Sequence, residues 1–109
     1  MRESDFDAKV RGYISLWKPR LILSEWDIRV EITTSKRIGG LADCLAYPRR
    51  RTARIRVAID GHLDHADLHD LEQIIVHELL HCYWPHPGKH AHIGVEAIAW
   101  ALVNAYRSR

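Results

Sequence analysis

Apolar positions recur along the 109-residue chain with two periods, and the switches between them mark out the elements. Phe6, Val10, Tyr13, Ile14 and Trp17 fall near a 3.6-residue spacing. This predicts an amphipathic helix opened by Ser4 or Asp5 and ended by Pro19. Trp26, Ile28, Val30 and Ile32 then alternate with Asp27, Arg29 and Glu31, the pattern of a half-buried strand. The run SKRIGG over 35–40 is its turn. A second extended segment, Leu41 to Pro48, alternates less cleanly, and its closing proline suits an edge or a strand end. A third, over 53–60, points Ile55, Val57 and Ile59 inward and Arg54 and Arg56 outward.

Helical spacing returns after Asp60-Gly61. Acids at 64, 67, 70 and 72 suit the positive end of a helix that starts at Asp64 or Asp67. Leu68, Leu71, Ile75, Leu79 and Cys82 make one apolar stripe, and Val76, Leu80 and Tyr83 make a second. A helix apolar on most sides is a buried helix, and Pro85 stops it. PHPGKHAH over 85–92 is read as loop, and a last helix from Ala91 to Tyr106 packs Val95, Ile98, Ala99, Leu102, Val103 and Tyr106 inward. The order predicts one α+β domain over 1–109. An N-terminal helix precedes a small, mostly antiparallel three-stranded sheet, and two further helices cover it.

Inside the buried helix lies His77-Glu78-Leu79-Leu80-His81. Residues four apart share a helix face, about 5–6 Å apart at Cβ, so two imidazoles there can converge on one Zn²⁺. Glu78 follows His77 by about 100° of rotation. It therefore flanks the metal, where a base for an activated water belongs. Eight histidines and six glutamates in the chain would produce such a pentapeptide by composition in roughly three chains per hundred. The burial of the helix adds weight, because three unpaired polar groups there would be costly.

A catalytic zinc needs a third protein ligand and an open position. The downstream candidates are His86, His90, His92 and Glu96. A metzincin would require Gly at 84 and His at 87, but the chain has Trp84 and Pro87, which excludes that class. Glu96 is the only acid after Glu78 and lies on the flank of an apolar stripe, where a metal would give it a partner. His92 is its rival.

The VHELLH motif, a short loop and a helix bearing Glu96 together resemble the gluzincin plan of zinc metallopeptidases. The length and element order resemble minimal gluzincins and small metallopeptidase-like proteins of prokaryotic and phage genomes. The specific motif covers only His77 to Glu96. The resemblance implies one Zn²⁺ per chain on His77, His81 and Glu96, with Glu78 as general base. It implies peptide or protein as substrate, held along an edge strand by strand addition. That strand would comprise Leu41, Ala42, Asp43, Cys44, Leu45, Ala46 and Tyr47. Tyr83 and His92 are the residues available to steady an oxyanion, and a member this small can be a weak or latent enzyme. Two other readings stay open. One is the SprT-like group, small HExxH domains that use a third histidine and act on proteins bound to DNA. The other is a non-catalytic module in which zinc only ties two helices together.

Composition changes this picture little. An apolar share of 47% and a charged share of 28% fit a soluble globular chain. Two cysteines make no disulfide framework, and the N-terminus MRESDFDAKV shows no leader or membrane span, so a cytoplasmic protein is expected. The net charge of +2 is too mild to imply a polyanionic partner, yet Arg49, Arg50, Arg51, Arg54 and Arg56 crowd into eight residues. They read as a solvated strand face beside a basic turn, open to acidic peptide or nucleic acid. Sequence-specific nucleic-acid binding is not expected, because every helix commits an apolar face to the core.

Overall fold

The most buried strand lies at the centre of the sheet. The computed structural model describes residues 2–60 and 70–109. Three strands, β1 (Asp27–Thr33), β2 (Ala42–Tyr47) and β3 (Thr52–Ala58), are ordered β1-β3-β2. In β3, Ala53, Ile55, Val57 and Ala58 are almost completely buried, whereas Ala46 is the only buried residue of β2. β1 runs parallel to β3, with Asp27 beside Thr52 and Thr33 beside Ala58. β2 runs antiparallel to it, with Ala42 opposite Val57. The sheet is thus mixed, one pair of each kind, where a mostly antiparallel one was expected. The cause is the crossover between β1 and β2. The chain passes through a short helix, α2 (Ser35–Ile38), to the far side and then returns to fill the centre. Pro48–Arg50 forms a single 3-10 turn on that return, and Arg51 closes it in the left-handed region.

The long helices are α1 (Glu3–Arg20), α3 (Leu71–Leu80) and α4 (Lys89–Arg107). Together with the sheet they form the α+β arrangement expected from the sequence. α3 lies between α1 and α4 and against β2, and its Ile75, Val76 and Leu79 are fully buried. Phe6, Val10, Ile14 and Trp17 of α1 join the same core, as do Val95, Ala99 and Val103 of α4. Ile98, expected inside, is 41% exposed. The buried helix expected to start at Asp64 or Asp67 starts at Leu71, with Asp70 extended as its N-cap, and Leu68 lies outside the described residues. No helix among the described residues is long and apolar enough to cross a membrane.

Each fully buried aliphatic side chain of α3 contributes about 1.5–3 kcal/mol. The same helix buries Glu72, Gln73, His77 and Glu78, and its C-cap His81 is buried too. Buried polar groups are tolerated only when hydrogen-bonded. Glu72 accepts from Trp17 Nε1 at 2.8 Å and from Arg107 Nη2 at 3.0 Å. Asp70 caps α3 by accepting from the Gln73 amide at 3.1 Å, and binds Arg107 through both oxygens at 2.7 and 2.9 Å.

Arg107 chiefly holds the Asp70 carboxyl below its ordinary 3.8, with the Gln73 amide adding to the effect. A carboxyl lowered on folding stabilises fully above its ordinary value and loses that contribution as pH falls through the lowered one. Asp70→Ala is therefore expected to cost about 0.5–2 kcal/mol near neutrality, the usual worth of such a cap. In urea unfolding, the gap to wild type should narrow as pH falls below the ordinary 3.8. A gap that stayed constant with pH would show that the carboxylate charge contributes nothing.

Candidate metal centre

α3 presents His77 and Glu78 in its last turn and His81 at its C-cap, all three buried. α4 begins two residues earlier than its periodicity suggests, because Gly88 is its N-cap. His92 therefore completes the first turn of the helix, and its amide is bonded to the Gly88 carbonyl. The two helices bring three imidazoles together. Ring centroids of His77 and His81 lie 5.0 Å apart, and those of His92 lie 4.7 and 5.3 Å from them. One nitrogen from each can be chosen so that all three fall within 4.8 Å of one another. Tetrahedral donors 2.0–2.1 Å from an ion stand about 3.4 Å apart, so this cluster is close to a ligand set.

The proton positions support that use. His77 Nδ1 bonds Glu96 Oε2, and His81 Nδ1 lies 3.0 Å from the Trp84 carbonyl oxygen. A carboxylate and a carbonyl can only accept, so both Nδ1 atoms carry the proton and both Nε2 lone pairs are free. Carboxylate–histidine pairs of this kind fix the tautomer of metal ligands. Burial keeps the His77 value low, outweighing the pull of Glu96 in the other direction. A neutral ring at neutral pH is what a metal requires.

Glu96, expected as a metal ligand, meets His77 and Gln73. Its Oε2 backs His77, its Oε1 accepts from Gln73 Nε2 at 2.7 Å, and His92, one helical turn earlier, completes the cluster. Tyr83, available by sequence to steady an oxyanion, reaches the turn between α1 and β1. Its hydroxyl donates to the carbonyls of Leu21 and Ile22, tying down a turn in which Ile22 has a left-handed φ of 60°. Sequence reasoning missed Gln73 and the Trp84 carbonyl. The former lies one turn before His77 on the same face, a signal the spacing contained.

Glu78 is the group left over. It is 7% exposed, and its side chain makes no hydrogen bond among the described residues. Burial, followed by the neighbouring carboxylates of Asp43 and Glu96, pushes its carboxyl up to about 8. An uncompensated buried acid beside three clustered imidazoles is the chemistry that a divalent cation would complete. The donor set fits zinc.

A cleft of about 430 Å³ opens over this group, lined by His77, Glu78, His81, His92, Glu96 and the first residues of β2. β2 is an edge strand, as expected, but only Leu41, Ala42, Asp43 and Cys44 border the cleft. Leu45, Ala46 and Tyr47 do not line it. Asp43 is tied to Arg56 at the rim. Comparison with protein-family models, curated proteins and solved structures returns no match to the chain.

Proposed function

We propose that the chain is a zinc-dependent hydrolase acting on peptide bonds, with His77, His81 and His92 as ligands and Glu78 as general base. One observation carries this reading: three convergent imidazoles beside a buried carboxyl that has no hydrogen bond of its own. Bound zinc would supply a water acidified toward about 7 and a charge to polarise a carbonyl. Glu78 would take the proton of the attacking water and return it to the departing amine. Glu96 would hold His77 in the ligating tautomer, and Gln73 would hold Glu96. The edge of β2 would align an extended substrate across the cleft.

The histidine-only donor set favours the SprT-like resemblance over the gluzincin one. This choice concerns the ligands alone, since a fold and a metal do not fix a substrate. The zinc-loaded chain is expected to cleave an unfolded protein such as casein, to stop on chelation and to resume when zinc is restored. A verified zinc-loaded chain with no cleavage would leave the module reading, in which the metal only joins α3 to α4.

A further inference from the structure

The arginine cluster divides once the strands are in register. Arg51 pairs with Glu25, and Arg56 pairs with Asp43. Arg49, Arg50 and Arg54 have no ion pair among the described residues, and all three are exposed. Arg54 lies on the sheet face opposite buried Ile55 and Val57, with Arg29 beside it on β1 and Leu45 beside it on β2. Like charges on adjoining strands oppose sheet formation, and Arg29 has only a long 3.6 Å contact with Asp27. Tyr47 shares this face, paired with Thr52, and is 48% exposed. Arg29, Arg54 and Tyr47 line one shallow depression together with Asp27. Arg49 and Arg50 follow Tyr47 and Pro48 in the 3-10 turn.

Among the described residues, three cations without ion pairs, a flat exposed ring and an exposed leucine lie on this face or in the turn that follows β2. The acids that the described strands place on the same face are Asp27, Glu31 and Asp43. We infer that this outer face of the sheet binds single-stranded nucleic acid, with Arg49, Arg50 and Arg54 on phosphates and Tyr47 stacking on a base. Acidic peptide would use the cations but would leave the ring idle. A duplex would hide its base faces and would require a projecting element to enter a groove, whereas this surface is a sheet. Unpaired bases stack on exposed aromatic rings without sequence preference, which agrees with the lack of a spare recognition helix. The inference is independent of the metal reading, because the depression and the cleft share only β2 and use different residues of it.

The test is fluorescence anisotropy of the full chain with a labelled oligothymidylate of about 15 nucleotides. A duplex of equal length and an oligoglutamate serve as competitors. Three phosphate contacts give a slope near −2 in log affinity against log salt, or roughly 20-fold between about 50 and 200 mM. Arg50→Glu/Arg54→Glu is expected to lose more than about 10-fold at the lower salt and to flatten the slope by about 1.4. Tyr47→Leu should weaken binding by about 5-fold or more, whereas Tyr47→Phe should retain it. Unchanged circular dichroism would show that the variants fold, and Tyr47→Phe, the mildest change, keeps the ring contribution measurable. Absence of binding at low salt would overturn the inference. So would a Tyr47→Leu variant equal to wild type, or a duplex or oligoglutamate that competes as well as the single strand.

Discussion

Glu78→Gln is expected to leave zinc affinity nearly unchanged and to lower peptide hydrolysis by about 10²–10⁴-fold, the range for loss of a positioned general base. The zinc half of this expectation rests on position. The nitrogens that converge belong to His77, His81 and His92, and the Glu78 carboxyl is not part of that group. The activity half rests on chemistry, since glutamine has the same shape and cannot accept the proton. The metal-free protein offers a second readout. A carboxyl lifted from its ordinary 4.5 to about 8 is protonated in the fold at neutrality and ionised in the unfolded chain. Wild type therefore loses stability as pH rises from about 4.5, and the loss levels off above about 8. Glutamine does not titrate, so metal-free Glu78→Gln should melt higher than metal-free wild type at pH 7, and the two should converge in acid. Full cleavage by the variant would place the base elsewhere, and loss of zinc would make Glu78 a ligand.

The histidine pair on α3 was legible because it depends on a single helix. Spacing of four and a buried apolar background suffice to bring His77 and His81 to one face, and both are buried. Strand identity was legible for the same local reason, since alternation at Ile28, Val30 and Ile32 and at Ile55 and Val57 needs only the pleat. Strand order is different. It depends on where a crossover lands, and only the burial of Ala53 and Ala58 as well as Ile55 and Val57 hinted that β3 is central. Which residue of α4 joins that pair was hidden by the same kind of non-local choice. His92 and Glu96 are four apart on α4, so both occupy the face toward α3, about one 5.4 Å turn apart. Which of them stands level with the histidines depends on how far α4 slides along α3. The contacts fix that register, with Gln73 meeting Glu96 and His77 meeting both Glu96 and His92. Neither helix's sequence specifies it alone.

That register yields the clearest measurement on the site. His92→Ala is expected to weaken zinc binding by well over 100-fold, and Glu96→Ala by about 10–100-fold, the usual cost of removing a group that supports a metal-bound histidine. The ranking follows from what each side chain touches. His92 contributes one of three convergent nitrogens, so its loss leaves two protein donors for an ion that requires three for catalysis. Glu96 acts through His77, whose ring can still ligate without it but is no longer held in one tautomer. Glu96→Gln sharpens the comparison. Its amide can still present an oxygen to His77 Nδ1, so much of the affinity lost in Glu96→Ala should return. A carboxylate acting as a direct ligand would show no such recovery. Competition with a chromophoric chelator at fixed pH measures all three variants on one scale. If Glu96→Ala proved more damaging than His92→Ala, and Glu96→Gln no better, the acid would be the third ligand and the gluzincin plan would replace the three-histidine one.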